Sequence, residues 1–381
     1  MKKVFPILAL SMFSSTLGMG IVAPLLPIYA QTLGASGIWL GTIVASYSIS
    51  NSIFVPFVGR ISDRKGRKVF LSAGLLAYAI ISLGYILAGN ALQLSLVRFI
   101  QGIAGAATVP IATAYLGDLS PEGEEGKWMG YGNAAFFSGF GLGPLLGGVM
   151  TAHLGMNATF FTMGGLNLIA FIVAYFFLPK ADSRHAAGEI KLSFKEMSNS
   201  SMVRGIFSFR LVQALGRGGI VAFLPIFGSL LGLSISLIGV LITINFLALI
   251  LLAPLGGLVA DRANRRTVTM YGNIIFSGLL AVIPFSRSFG QLAVVLVIQG
   301  LSGAIVMATA SALTVEEGRR YGMGSTMSIF MLAMGIGLAV GPIISGAIAD
   351  LFNIESVFYF GAATGLIGTI LFGWFTRGYR R

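Results

Sequence analysis

Long apolar segments alternate with short polar segments along the whole chain. Each apolar segment is close to the length of about 20 residues that an α-helix needs to cross ~30 Å of hydrocarbon. We therefore predict an all-α polytopic membrane protein with twelve transmembrane helices. The predicted helices span about 4–30, 37–59, 68–88, 91–116, 129–151, 157–178, 203–230, 236–260, 268–286, 289–314, 323–349 and 354–375.

Composition and charge support a membrane protein and give its orientation. The 381 residues are 56% hydrophobic and 10% charged, whereas soluble domains are about 25% charged. A net charge of +12 would favour nucleic-acid binding in a soluble protein, but here the basic residues cluster in alternate polar segments. The other set of polar segments contains a single basic residue, Arg287. By the positive-inside rule we expect a multi-pass protein of the cell (plasma or inner) membrane with both termini in the cytoplasm and no nucleic-acid partner.

The two halves of the chain repeat each other at one constant offset of 198 residues, from Asp63 to Asp261. The repeat aligns Leu26-Pro27 with Leu224-Pro225, Gly59 with Gly257, Gln101-Gly102 with Gln299-Gly300, and Gly143-Pro144 with Gly341-Pro342. It predicts two six-helix bundles, 1–178 and 203–381, joined by a cytoplasmic linker at 179–202. Parallel repeats are typical of transporters whose halves rock about a site near the middle of the bilayer.

The segment Gly59–Lys68 packs five basic residues and one carboxylate between two apolar helices. It is too charged for the membrane interior and predicts a tight cytoplasmic turn, in which Gly66 permits a positive φ. Asp63 is costly near the membrane boundary unless it meets a cation or a helix N-terminus. The second copy has Asn264 in place of Gly66. We therefore expect the first copy to exert the stricter control over conformation.

Three segments together resemble motifs of the major facilitator superfamily, especially of its twelve-helix drug:proton antiporters. They are Gly59–Lys68, the fourth-helix segment from Leu94 to Ala107, and the glycine-rich run Gly139–Gly148. The resemblance implies the major facilitator fold and alternating-access transport of a small molecule, with protons as the coupling ion.

The resemblance also implies roles for individual residues. Asp63 is expected to meet the start of the eleventh helix and Arg67 to reach Asp118, which would hold the cytoplasmic side shut. The expected cytoplasmic gate and coupling residues are Gly59, Asp63, Arg64, Gly66, Arg67, Asp118, Asp261 and Arg262. The residues expected at the interface between the halves are Gly139, Gly143, Pro144, Gly147, Gly337, Gly341 and Pro342.

Polar residues share one face of the fourth helix and one face of the seventh, and the resemblance places both helices around a central cavity. The fourth-helix face carries Arg98, Gln101, Thr108 and Tyr115. The candidate cavity residues are Arg98, Gln101, Gln213, Arg217, Asn245 and Gln299. All 13 carboxylates fall in predicted polar segments or at helix ends. An arginine at mid-membrane depth costs ~2.5–3.5 kcal/mol, so Arg98 and Arg217 must use water, carbonyl groups or an anionic substrate.

One departure from the drug antiporters leaves the substrate open. Many of them carry an acidic residue in the first helix, and its position here is occupied by Ser15. The leading hypothesis is proton-driven efflux of small amphipathic or drug-like compounds, with Asp63 as a carboxylate for proton coupling. The alternative is a transporter or flippase for an anion (a lysolipid, glycolipid or organic anion) that uses Arg98 and Arg217.

Other function classes find little support in the sequence. It has no cysteine, its two histidines (His153 and His185) are far apart, and it lacks a nucleotide-binding Gly-x-x-x-x-Gly-Lys-[Ser/Thr] motif. We therefore expect no cofactor, no metal and no enzymatic activity, and we expect a monomer. A non-transporting sensor is the other class considered, but no segment is long enough for an added soluble domain.

Overall fold

The computed structural model describes residues 4–121, 124–179, 197, 199–262, 264–321 and 323–378, and leaves the side chains of 125–126, 253–262 and 323–325 undescribed. The described residues form thirteen α-helices, a 3₁₀ turn at Ile283–Phe285, and no strand. The helices are α1 (Phe5–Thr32), α2 (Gly37–Lys65), α3 (Arg67–Leu87), α4 (Ala91–Ala106), α5 (Val109–Leu119), α6 (Glu125–Leu154), α7 (Met156–Phe177), α8 (Ser201–Leu230), α9 (Ile235–Arg262), α10 (Arg265–Val282), α11 (Phe289–Tyr321), α12 (Met323–Leu351) and α13 (Ile354–Phe375).

Twelve stretches of these helices are long and apolar enough to cross a membrane, as predicted. Alternate connections between them carry most of the Lys and Arg. We call the helix ends at these connections the basic side of each unit and the other helix ends the opposite side. The predicted linker at 179–202 lies mostly outside the described residues.

The charged segment after the second membrane helix is not the loop that the sequence predicted. Helix α2 continues through Lys65, and α3 begins at Arg67, so Gly66 alone separates them. Gly66 has φ +97° and ψ +127°, and its N–H donates to the carbonyl of Ser62 at 2.9 Å. In the second copy, Asn264 takes φ −65° and its side chain accepts from the N–H of Thr267. The two repeats therefore start their third helices by different local chemistry: a glycine turn and an asparagine cap.

The fourth membrane helix is broken, although the sequence pattern predicted one continuous helix at 91–116. Helix α4 ends at Ala106 and α5 begins at Val109, with Thr108 in a non-helical conformation between them. Pro110 explains the break, because proline donates no backbone hydrogen bond and its ring clashes with the carbonyl four residues earlier.

The helices group into two compact units. The first contains α1, α3 to α7 and most of α2, together with Leu233–Thr243; the second contains α8, α10 to α13 and most of α9, together with Ser36–Ala45. In the first unit, buried side chains of α1, α3, α5 and α7 form a core that includes Leu8, Leu75 and Tyr115. In the second unit, Phe209, Leu313 and Phe372 belong to a comparable core.

The glycines of α6 and α12 pack inside these units. A Cβ atom on Gly143 would lie 2.6 Å from the Cα atom of Gly20 in α1, and Gly139 and Gly147 also face α1. In the second unit, Gly337 and Gly341 face α8. These glycines allow close backbone contact with the first helix of their own half, and their expected place between the halves stays a prediction.

The backbone carbonyl groups of Pro144 in α6 and Pro342 in α12 lie close to glycines of α9 and α2. A Cβ on Gly239 would meet the carbonyl of Pro144 in the first unit, and a Cβ on Gly41 would meet that of Pro342 in the second. Both glycines belong to the short segments, Leu233–Thr243 and Ser36–Ala45, that complete each unit. The side chain of Thr243 also accepts a hydrogen bond of 3.0 Å from the N–H of Leu145, next to Pro144.

Candidate functional site

Arg98 lies in a buried polar cluster of the first unit. Its guanidinium carbon lies 4.8 Å from the ring centroid of Tyr47, and its Nη1 donates to Oε1 of Gln101 at 2.7 Å. The hydroxyl of Tyr85 donates to the same Gln101 oxygen at 2.5 Å. The hydroxyl of Tyr47 lies 3.5 Å from that of Tyr78. Spacing on the fourth helix predicted Arg98 and Gln101, but the three tyrosines come from α2 and α3 and could not be read from that pattern.

This cluster holds Arg98 without a carboxylate among the described residues. Stacking of a guanidinium on an aromatic ring is stronger when both groups are desolvated, and Arg98 is only 9% exposed. Arg98 Nε and Gln101 Nε2 are buried, and neither has a hydrogen-bond partner in the described structure. The cluster is therefore a fixed positive centre with two unsatisfied donors.

The repeat places an uncharged cluster at the equivalent position of the second unit. Asn245, which aligns with Tyr47, donates from Nδ2 to the carbonyl of Leu296 at 2.7 Å and to Oε1 of Gln299 at 3.2 Å. Leu296 aligns with Arg98, so this unit has no cation there. Asn245 and Gln299, both predicted to line the cavity, are thus bonded to each other.

The two candidate residues on α8 have different surroundings. Nε2 of Gln213 donates to Oδ1 of Asn273 at 3.1 Å, and Asn273 in turn donates to the carbonyl of Gly365. Arg217 is near the middle of the same helix and is half-buried. Among the described residues, it has neither a hydrogen bond nor an ion pair. Arg217 is therefore a cation in the middle of a membrane helix that remains available to a ligand.

The other two polar residues on the fourth-helix face, Thr108 and Tyr115, bond to backbone carbonyl groups. The hydroxyl of Thr108 donates to the carbonyl of Gly105 at 3.1 Å, and Tyr115 donates to the carbonyl of Pro179. Ser15, at the position of the expected acidic residue, is fully buried and donates to the carbonyl of Ser11 in its own helix. Ser15 thus has a local partner within α1.

At the basic side, Arg67 forms the contact that the resemblance implied. Its guanidinium donates to both carboxylate oxygens of Asp118 at the end of α5, and its Nη1 lies 3.0 Å from Asp63. The repeat preserves this pair in the second unit, where Nη1 of Arg265 lies 3.3 Å from Glu316. Each pair ties the start of a third helix to the end of a fourth within one unit.

The remaining predicted gate residues are only partly described. Arg64 is exposed, and a Cβ on Gly59 would meet no described atom within 4 Å, so close packing at Gly59 is not seen. The side chains of Asp261 and Arg262 lie outside the described ones. The expected partner of Asp63 falls at the start of α12, where side chains 323–325 are also undescribed.

Glu317 is a buried carboxylate that the sequence pattern does not single out. It is 4% exposed and accepts a hydrogen bond of 3.0 Å from the hydroxyl of Ser200, while Arg320 lies 3.8 Å away. Glu316, which aligns with Asp118, precedes it directly. That adjacent pair of acids was the available signal, but the sequence does not show which of the two points inward.

The family model of the Major Facilitator Superfamily matches residues 8–212 and again 206–381. The chain belongs to this superfamily. The match covers both repeats and agrees with the twelve candidate membrane spans.

Individual relatives in the superfamily are similar over nearly their whole length. An uncharacterized MFS-type transporter of Methanocaldococcus jannaschii is 27% identical over 379 residues, which cover 97% of each chain. The multidrug resistance protein MdtG of Salmonella paratyphi A is 26% identical over 384 residues, covering 98% of this chain and 95% of MdtG. The crystal structure of the nucleoside transporter NupG has the same fold, with a TM-score of 0.83, 17% identity, and coverage of 99% of this chain and 100% of NupG.

Proposed function

We propose that the protein is a secondary active transporter that exports small amphipathic or drug-like compounds in exchange for protons, by alternating access. The observation that carries this proposal is the near-full-length similarity to MdtG, which is named a multidrug resistance protein. The family membership supports transport of a small molecule. We further propose a monomer in the cell (plasma or inner) membrane with its basic side and both termini in the cytoplasm.

The site residues take the following proposed roles. Arg98, Gln101, Gln213, Arg217, Asn245 and Gln299 contribute to the substrate cavity. Arg67 and Asp118 brace the first unit at the basic side, and Asp63 provides the titratable carboxylate for proton coupling. The contact of Arg67 with both carboxylates supports the bracing role.

A second candidate function is transport or flipping of an anionic amphiphile, such as a lysolipid, glycolipid or organic anion. Arg217 favours it, because no described residue neutralises this half-buried cation in the middle of α8. A charged side chain at this depth is expensive and marks a functional site by default. An anionic headgroup would supply the missing counter-charge.

Transport into inside-out membrane vesicles separates the two functions. We expect uptake of a cationic amphipathic dye that a proton uncoupler abolishes and that Arg217→Ala leaves within about twofold of the unmodified protein. Uptake of a fluorescent lysolipid or organic anion, lost in Arg217→Ala and insensitive to the uncoupler, would instead establish the second function. Arg287→Ala is the matched control, since Arg287 is exposed and lies on the opposite side.

A further inference from the structure

A groove opens on the surface of the second unit between α10 and α13. It has a volume of about 580 Å³, and Arg266, Met270, Ile370, Trp374 and Arg377 are among its lining residues. Arg266 is the second residue of α10, and Arg377 follows the end of α13 by two positions. Both arginines therefore lie at the basic side, where a membrane helix meets the lipid headgroups.

The two arginines are held differently. Arg266 donates from Nε to the hydroxyl of Thr376 at 2.8 Å and from Nη2 to the carbonyl of Gly373 at 3.0 Å, which orients its guanidinium. Arg377 is exposed and forms no hydrogen bond or ion pair with any described residue. No carboxylate belongs to the residues that line the groove in the described structure. One guanidinium is thus pre-oriented, the other is free, and neither charge is neutralised locally.

The other walls of the groove are apolar. Ile370 is 69% exposed and Trp374 is 54% exposed, and Met270 lies between the two helices. Tryptophan is enriched where a membrane protein meets the headgroup layer, and basic pockets between helices on the cytoplasmic side suit anionic lipid headgroups. A free phosphate ion would use the arginines but would leave the apolar walls uncovered.

We propose that this groove is a binding site for an anionic glycerophospholipid. Arg266 and Arg377 bind the phosphate oxygens of the headgroup, and the acyl chains lie along Ile370 and Met270. The recognition is independent of the transported substrate and of proton coupling.

The first repeat does not reproduce the site. The positions that align with Arg266, Trp374 and Arg377 are Lys68, Phe176 and Pro179. At these three positions the first half has one cation and no indole, so we expect a single high-affinity lipid site per chain. Charge complementarity in the second unit, rather than a general property of the fold, is what selects the lipid.

Native mass spectrometry of the full chain in a neutral detergent tests the proposal. Phosphatidylglycerol and phosphatidylcholine with the same acyl chains are added at equal concentrations, and the lipids retained on the protein are counted. We expect one phosphatidylglycerol to bind at least tenfold more tightly than phosphatidylcholine, and Arg377→Gln to weaken it about fivefold, since one basic residue near an anionic surface contributes on that order. Arg287→Gln removes the same charge from an exposed arginine on the opposite side and should change nothing.

Three results would overturn the site. They are equal retention of both lipids, unchanged phosphatidylglycerol binding in Arg377→Gln, and an equal loss of binding in Arg287→Gln. A fourth arm distinguishes a lipid from a free anion: 50 mM inorganic phosphate should displace the lipid no more than potassium chloride of equal ionic strength. Stronger displacement by phosphate would identify a phosphate-ion site and would contradict the assignment to lipid.

Discussion

Gly66 adopts a backbone conformation that side chains rarely tolerate. With φ at +97° and ψ at +127°, it joins α2 to α3 without any other intervening residue. We predict that Gly66→Ala lowers the free energy of unfolding by about 1–3 kcal/mol, the usual cost of a strained backbone region. The measurement is a thermal unfolding curve of the purified protein in detergent.

Gly59 provides the matched control for Gly66. It lies inside α2, and a Cβ there would meet no described atom within 4 Å. Gly59→Ala should be neutral or stabilising by up to about 1 kcal/mol, because alanine is the better helix former. Equal destabilisation by both changes would show that the turn at Gly66 is not what limits stability.

Glu317 links α11 to the start of α8 through the hydroxyl of Ser200. Glu317→Ala should destabilise the second unit by about 1–3 kcal/mol, because it removes the hydrogen bond between the Ser200 hydroxyl and a buried charged group. Glu316→Ala, which removes the more exposed neighbour, should cost at most about 1 kcal/mol. If Glu316→Ala lowered the unfolding temperature more than Glu317→Ala did, the burial of Glu317 would contribute nothing to stability.

Asp63 is the residue on which the proposed proton coupling depends. It lies beside Arg67, which also contacts Asp118, so three charged groups share this corner of the first unit. We predict that Asp63→Asn abolishes the dependence of transport on pH, because the variant keeps the side-chain size but has no ionisable group there. Drug flux measured from pH 5.5 to 8.5 checks this, with Asp118→Asn in parallel. Full pH dependence in Asp63→Asn would exclude the role.

At the scale of the elements, the repeat is most visible in contacts that recur at the 198-residue offset. The pair Arg67 with Asp118 returns as Arg265 with Glu316. The contact of Asp350 has no counterpart in the first half: both of its carboxylate oxygens accept backbone N–H groups at the start of α2, from Gly37 at 2.6 Å and Ile38 at 2.9 Å. Ala152 stands at the aligned position in the first half.

Asp350 should therefore stabilise the second unit as an N-terminal cap supplied by another helix. A carboxylate near a helix N-terminus contributes about 0.3–1 kcal/mol at an exposed position, and salt weakens it. We predict that Asp350→Ala lowers the free energy of unfolding by about that amount at low salt and by less in 1 M salt. A variant as stable as the unmodified protein at both salt concentrations would contradict the cap.

Most elements could be predicted from sequence, and the misses have local physical causes. Apolar length located the twelve candidate membrane spans, since an α-helix satisfies its own backbone hydrogen bonds in lipid. The pattern could not show the break at Thr108, because helical periodicity continues across it and only Pro110 signals it. The pattern also predicts a loop where α2 extends to Lys65, because a run of charged residues is typical both of a loop and of the end of a helix.

The candidate site was less predictable than the helices. Spacing found Arg98, Gln101 and Arg217, since polar positions stand out on apolar helices. The partners that decide what these residues do come from other helices: Tyr47 stacks on Arg98, Tyr85 donates to Gln101, and Asn273 accepts from Gln213. Such contacts depend on tertiary packing, which a one-dimensional pattern does not encode.

At the scale of the whole molecule, the protein combines a duplicated scaffold with an unequal distribution of charge. Arg98 is fixed by tyrosines in the first unit, whereas Arg217 has no described partner in the second. The superfamily supplies the fold, and transporters of different substrates share it, as NupG and MdtG illustrate. Energy coupling therefore has to be measured on this chain itself.

The most direct measurement uses the purified protein in sealed liposomes with an imposed pH gradient and a cationic amphipathic dye. The proposed exchange predicts that the dye accumulates above its equilibrium level in acidic liposomes, that accumulation reverses when the gradient is reversed, and that dye addition without a gradient moves protons across the membrane. Equilibration of the dye to the same final level at every gradient, with no proton movement, would contradict proton-coupled export.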